Sequence, residues 1–283
     1  MAVITKTDRS YPGKLLEIKD PPARLYIRGR EELLSRRSIA IVGSRKCSEY
    51  GKIVAMKIAT EAVDNGFCVI SGMALGIDNF AHRGALKAGG DTIAVLGTGI
   101  DVCYPRQHRD LYERIGKEGL LVTEQEAGTG PLRYTFPLRN RIIAGLSEAV
   151  IVVEARADSG SLITAELAME QNRHVFAVPG NITSMFSLGT NRLISEGAQI
   201  VSVIDDIFYE LGVEPRLRED DLTELGKDEI LIYSLVKENG EMPIDMLCFK
   251  TGKDFVTVNT IVSALEMKGF VDYRMGKVMS IKF

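Results

Sequence analysis

From Ser38 onward the chain alternates short β-branched runs with longer amphipathic segments, and few folds accommodate that rhythm. The runs are Ile39–Val42, Phe67–Ile70, Thr92–Leu96, Leu120–Thr123, Val150–Val153, Val175–Val178 and Gln199–Val203. Between them apolar residues recur at helical spacing, as in Ile53, Met56, Ala59 and Val63, or Ile163, Leu167 and Met169. A strand that is apolar along its whole length is buried on both faces, the condition of a parallel sheet covered by helices on each side. Residues 38–213 are therefore expected to form an open, doubly wound α/β domain.

Sheets of this kind bind ligands at the carboxyl ends of their strands. The residues that follow the runs are small: Gly43-Ser44 (then Arg45-Lys46), Ser71-Gly72, Gly97-Thr98-Gly99 and Ser159-Gly160-Ser161. A rim made of Gly43, Ser44, Ser71, Gly72, Gly97, Ser159 and Gly160 lets backbone approach a phosphate closely, so a phosphorylated ligand is expected. A dinucleotide fits poorly, because the first βα turn is Gly43-Ser44-Arg45 and lacks the later glycines of G-x-G-x-x-G. No G-x-x-x-x-G-K-[ST] occurs, which argues against a Walker-type ATPase.

Arg133-Tyr134-Thr135-Phe136-Pro137-Leu138-Arg139-Asn140-Arg141 brings three guanidinium groups and two rings together without an acid. Because it runs into apolar Ile142–Leu146, it is expected at or just before a helix N-terminus, which itself favours anions. Arg forks grip phosphates and rings stack on splayed bases, the pairing used by single-stranded nucleic-acid sites. The same residues also fit a solvated basic surface with Phe136 in the core. Tyr104-Pro105-Arg106-Gln107-His108-Arg109 is a second basic loop with the same two readings. Asp78 and His82, four apart, fit an acid/base pair or two metal ligands, but a helix-capping Asp is the commoner arrangement. Ser159 and Ser161 lack G-x-S-x-G and are read as helix caps.

A chain of 283 residues with net charge −3 is near the size at which one core splits in two, and it is no polycation. Any nucleic-acid surface must be a local patch. Residues 1–37, with Pro12, Pro21 and Pro22, read as an extended arm laid against the α/β domain. Residues 214–227 read as an acidic linker, since Glu214 to Glu229 holds seven acids against three bases. Residues 228–283 read as a second domain: helical spacing in Ile230, Leu231, Ser234 and Leu235, a short helix at Pro243–Leu247, a third helix through Val258, Ile261, Val262 and Leu265, then a hairpin across Met275-Gly276. Its third helix sets Asp254 and Glu266 against Lys253 and Lys268, which is a poor reading head for a major groove. The four cysteines are far apart and only three histidines are present, so no disulfide, metal or cofactor is expected. No signal peptide or membrane span is legible, and a cytoplasmic setting is expected.

Taken together, Gly43-Ser44-Arg45 with Tyr50-Gly51, Ser71-Gly72 through Gly76-Ile77-Asp78, Ala94–Gly97 through Tyr104-Pro105, Phe136-Pro137 with Arg139–Ser147, Ser159-Gly160-Ser161 and Val178-Pro179-Gly180 resemble the DprA/Smf family. The motifs stand in the family's order over residues 11–211. The resemblance implies an extended Rossmann-like fold, a C-terminal winged helix and a homodimer. It further implies a non-enzymatic protein that binds single-stranded DNA and loads the recombinase RecA onto it in natural transformation. It groups Arg45, Arg106, Arg133, Phe136, Arg139 and Arg141 as one DNA-binding pocket. Two features depart from the pattern. The chain has no room for the small helical domain that many members carry ahead of the Pro-rich arm, and Thr123-Glu124-Gln125-Glu126 stands where Ser-Glu with a nearby Pro is usual. A second function class, a hydrolase or sensor acting on a nucleoside phosphate in the glycine rim, stays open at this point.

Overall fold

The computed structural model describes residues 1–214, 225–268, 270–274 and 276–280. It divides into two compact units, Met1–Glu214 and Pro215–Phe283. Residues 215–224 of the expected acidic linker, and residues 281–283 of the expected hairpin, lie outside the described residues.

The first unit is built on seven parallel strands: β3 (Ser38–Val42), β4 (Cys68–Ser71), β5 (Thr92–Val95), β6 (Leu120–Thr123), β7 (Ala149–Val152), β8 (His174–Ala177) and β9 (Gln199–Ile200). Residues 1–37 do more than lie against this sheet, as the arm reading had it. They add β1 (Ala2–Thr5) and β2 (Arg24–Gly29), with β2 antiparallel to β6 and β1 antiparallel to β2. The reason is Leu25-Tyr26-Ile27, a buried apolar triplet that the surrounding prolines obscured. The sheet order is β1-β2-β6-β5-β4-β3-β7-β8-β9. Strand order runs away from β3 in one direction through β4 and in the other through β7, so the switch point and its crevice lie at the carboxyl ends of β3 and β7.

Alternate residues of the strands feed opposite layers. Ala40, Val42, Val150 and Val152 pack with α5 (Thr135–Leu146) and α6 (Gly160–Glu170). Ile39, Ile41, Val69 and Ile151 pack under α2 (Glu49–Asp64) and α3 (Ile77–Lys87). Ala55, Ala59, Ala81 and Ala85 let α2 and α3 approach closely, and at Gly84 a Cβ would fall 2.8 Å from the Met56 carbonyl oxygen. The remaining helices of this unit are α1 (Gly13–Leu16), α4 (Arg109–Glu118), α7 (Leu188–Ser195) and α8 (Asp205–Glu210).

The second unit contains α9 (Lys227–Asn239), β10 (Glu241–Pro243), α10 (Ile244–Thr251), α11 (Phe255–Met267), β11 (Val271–Arg274) and β12 (Lys277–Ser280). The strands form an antiparallel sheet in the order β10-β12-β11. The buried face of α9 is Ile232, Tyr233 and Val236, one step round from the expected stripe; Leu231 is 43% exposed and Leu235 only partly buried. Among the described residues, no helix is long and apolar enough to cross a membrane.

Candidate nucleic-acid interface

Above the switch point lies an open cleft of about 840 Å³, lined by the β3–α2 loop (Gly43–Lys46), by Arg133, Phe136 and Asn140 around the start of α5, and by Arg156 and Ser159–Ser161 at the start of α6. The β3–α2 loop is held by its own hydroxyl: Ser44 Oγ donates to the Lys46 carbonyl at 2.7 Å and accepts from the Lys46 amide at 3.2 Å. That closure leaves Arg45 and Lys46 exposed. Arg133 is exposed as well, and among the described residues none of these three cations has an ion-pair partner. Arg156 stands across the cleft, 3.9 Å from the exposed Asp158.

Helix α5 starts at Thr135, whose Oγ1 donates to the carbonyl of Gly97 at 2.6 Å and to that of Leu132 at 2.8 Å. Pro137 sits in the first turn, where a missing N–H costs nothing. The helix therefore begins earlier than the apolar run Ile142–Leu146 suggested, and Arg139 and Arg141 lie inside it rather than ahead of it. At 100° per residue they point about 200° apart, so one helix cannot offer both to one ligand.

Neither of them is a free phosphate clamp. Arg139 is 5% exposed and forms the floor of the cleft, donating to the Gly72 carbonyl at 2.7 Å and to the Val95 carbonyl. Burial pulls its pKa down to about 10, so it remains charged at neutral pH, helped by the Asp78 carboxylate. The Arg141 side chain, 12% exposed, turns to the opposite side of α5 and lines a separate groove with Asp20 and Arg173. There Glu124 grips it with two bonds of 3.0 and 2.6 Å, and Asp20 adds a third at 3.3 Å. Arg106 is exposed in a 3-10 turn, Arg106–His108, and is not among the residues lining the cleft.

The glycine and serine rim divides likewise. Gly43, Ser44, Ser159 and Gly160 line the cleft. Ser71 lies beneath it, donating to the Ile41 carbonyl at 2.7 Å, and Gly72 is buried under Arg139. Gly97 is covered by Phe136, since a Cβ there would fall 2.7 Å from the ring. Phe136 is half-buried, with the Tyr104 ring 5.6 Å away and the Arg45 guanidinium 5.6 Å from its centroid. It is neither plain core nor a free platform: Arg45 lies over the ring and would share it with a base.

Asp78 and His82 do not form a pair. Asp78 is buried and accepts from the amides of Gly72 at 3.1 Å and Ala74 at 3.2 Å, tying the β4–α3 loop instead of capping α3. Burial pushes its carboxyl up, against the pull of Arg139. His82 Nδ1 lies 2.7 Å from Thr92 Oγ1, which itself donates to the Val69 carbonyl at 2.8 Å, so Nδ1 carries the proton and Nε2 is left a bare acceptor. Burial pulls the His82 pKa down to about 3 from its usual 6.5. The folded chain thus holds His82 neutral while the unfolded chain takes up a proton below about pH 6.5. Stability from this group is present above that pH and is lost toward pH 3, at about 1.4 kcal/mol per unit. In urea titrations at pH 7 and pH 5 the wild type is expected to lose about 2 kcal/mol more than His82→Gln; equal losses would contradict this. Among the described residues no cluster of three or more His, Cys, Asp or Glu is placed to hold a metal ion.

A family model described as DNA recombination-mediator protein A matches residues 2–212. The chain belongs to this family, DprA/Smf. It is 47% identical over 203 residues to DNA processing protein DprA of Streptococcus pneumoniae, covering 72% of each chain. It is 44% identical over 206 residues to DprA of Bacillus subtilis, covering 72% of this chain and 69% of that one. The X-ray structure of DprA from S. pneumoniae superposes with a TM-score of 0.72 at 45% identity over 74% of each chain. DNA processing protein A from Helicobacter pylori, described for its single-stranded DNA binding mode, superposes with a TM-score of 0.68 at 32% identity, over 75% of this chain and 96% of that one. The DprA/Smf resemblance and the extended Rossmann-like sheet are thus both established for this chain.

Three residues that line the cleft, Lys46, Asn140 and Arg156, and the buried Glu154, close to Arg156 in sequence, were not among the six that the resemblance grouped as a pocket. Asn140 bridges the two helices, its Nδ2 donating to the Gly160 carbonyl at 3.3 Å. Arg156 and Glu154 follow β7 directly, so the rule that selected Ser159 would have selected them too. Glu154 is 4% exposed; its backbone oxygen accepts from the Ser44 amide at 2.7 Å, and its carboxylate accepts from the Ser48 amide at 2.9 Å and from the Ser48 hydroxyl.

Proposed function

We propose that the first unit binds single-stranded DNA along the switch-point cleft and passes it to the recombinase RecA in natural transformation, without catalysing a reaction. The observation that carries this is the set of cations Arg45, Lys46 and Arg133, without ion-pair partners among the described residues, with Arg156 opposite, around the half-buried Phe136 in an open cleft. Cations spread over several loops beside a ring form a track for a phosphodiester chain. The binding mode described for the H. pylori relative and the family's description as a recombination mediator support the same reading. A hydrolase reading draws no support from Asp78 and His82, which are buried and bonded elsewhere, Asp78 to the Gly72 and Ala74 amides and His82 to Thr92.

In this reading the protein works in the cytoplasm as a symmetric homodimer, whose two short tracks gain avidity on one strand. The second unit serves as a winged-helix-like module for a partner or for regulation. Supporting that, the exposed residues of α11 are Phe255, Val256, Thr257, Thr260, Ser263, Glu266 and Met267, with no cation among them.

Contacts of four phosphates with Arg45, Lys46, Arg133 and Arg156 give an expected log–log salt slope near −3, at about −0.7 per phosphate. Filter binding of an oligonucleotide across a salt series measures it, with duplex of the same length as comparison. A flat response, or duplex held as tightly as single strand, would sink the proposal. Phe136→Ala is expected to weaken binding by about 1–3 kcal/mol at an unchanged slope, because stacking releases no counterions. A variant that binds as wild type while melting early would assign the ring to packing alone.

A further inference from the structure

The helix that follows the first strand at a switch point is where doubly wound folds seat a phosphate, on free amides and the positive end of the dipole. In this chain that seat, at the start of the 16-residue α2, is already filled. The Glu154 carboxylate lies there, accepting from the Ser48 amide and hydroxyl, and Ser48 Oγ in turn accepts from the Gly51 amide at 3.1 Å. The fit is close enough that a Cβ on Gly51 would collide with Glu154 Oε2. The backbone of the same residue holds the other end of the loop through Ser44. Glu154 therefore clamps residues 44 and 48, and the segment between them carries Arg45 and Lys46.

We propose that Glu154 is a positioning and specificity residue. Its carboxylate stands in for a bound phosphate at the start of α2, fixes the Arg45–Lys46 loop over the cleft for a phosphodiester strand, and shuts out the terminal phosphate of a mononucleotide. The strand-binding half rests on the reading under "Proposed function"; the occupation of the helix start does not. An incoming phosphate dianion meets both the space filled by the carboxylate and its like charge. A phosphodiester reaching Arg45 and Lys46 from the cleft side meets neither.

The test uses the full chain with Glu154→Ala, Glu154→Gln and Gly51→Ala. Gly51→Ala wedges the carboxylate out of its seat while giving α2 a better helix former, so it keeps the test open should Glu154→Ala fail to fold. Without DNA, amide exchange at Ser48 is expected to speed up in Glu154→Ala and Gly51→Ala and to stay slow in Glu154→Gln, whose amide oxygen still accepts from Ser48, while Ser44, held by the backbone carbonyl of residue 154, serves as the internal reference. With an oligonucleotide, the first two variants are expected to bind about 25-fold more weakly at about 0.1 M salt. Their salt slope becomes less negative by about 1.4, the share of two phosphates, and Glu154→Gln returns it to the wild-type value. Inorganic phosphate and deoxyadenosine monophosphate are expected to raise the melting temperature of Glu154→Ala and not that of the wild type. Folded Glu154→Ala or Gly51→Ala with wild-type exchange at Ser48 and a wild-type slope would overturn the proposal, as would Glu154→Ala that gains no response to either phosphate. A wild type that binds no oligonucleotide would overturn the strand-binding reading instead, and the exchange data would still judge the clamp.

Discussion

Arg139→Ala is expected to destabilise the first unit by about 3–5 kcal/mol, the range for removing one partner of a buried charged network. The loss has three sources. The carbonyls of Gly72 and Val95, at the ends of neighbouring strands, lose their donor. Asp78 loses the positive charge that offsets its burial. A hole opens beneath Phe136, to which the Arg139 side chain is adjacent along the cleft floor. In a domain of this size about 2–4 °C of melting temperature follows each kcal/mol, so a drop of roughly 6–20 °C is expected by calorimetry. Variant protein that is still folded should keep the wild-type salt slope of binding, because Arg139 faces backbone carbonyls. A variant that melts as wild type but loses about 0.7 from the slope would return Arg139 to the role of phosphate holder.

The combined variant Arg45→Ala, Lys46→Ala, Arg133→Ala is expected to behave in the opposite way. Each of these side chains is exposed and without an ion-pair partner among the described residues, so their removal leaves melting nearly unchanged. Binding should suffer instead. Three fewer phosphate contacts move the slope from near −3 to near −1 and weaken binding about 100-fold at about 0.1 M salt, from counterion release alone. The matching control replaces Arg83, Arg114 and Arg192, which are tied to Asp110, Glu118 and Glu196 at 2.6, 2.8 and 2.7 Å. Equal loss in both variants would mean that overall charge, and not the cleft, governs affinity.

The sheet was legible because six of its seven parallel strands, β3 to β8, are built on buried apolar runs bounded by turns; β9, Gln199–Ile200, is a short, part-exposed edge. The β1–β2 addition was not, since Pro12, Pro21 and Pro22 announce a loop and the pairing of Tyr26–Gly29 with β6 is set by tertiary burial. At the site, composition picked out the right stretch but not the direction of its side chains. Three arginines in nine residues look alike in sequence; only the helix start at Thr135 sends Arg139 under the cleft, Arg141 behind it and leaves Arg133 in front. Glu124, which this stretch has in common with the family's Ser-Glu, is the partner that holds Arg141, and the departure beside it leaves that contact intact. Glu154 stood within reach of the strand-end rule, but its role did not. A carboxylate in a site chosen for anions runs against the charge logic of a phosphate rim, and its purpose is visible only once Ser48 and Gly51 are seen around it.

The central claim is that a single strand lies in the switch-point cleft with a base against Phe136. Ultraviolet cross-linking of an oligothymidylate to the wild-type chain, followed by mass spectrometry of the peptides, tests it without any substitution. The account predicts adducts on Phe136 and Tyr104, whose rings stand 5.6 Å apart at the cleft. Adducts confined to the groove around Asp20, Arg141 and Arg173, or to residues 227–280, with Phe136 and Tyr104 unmodified, would contradict it.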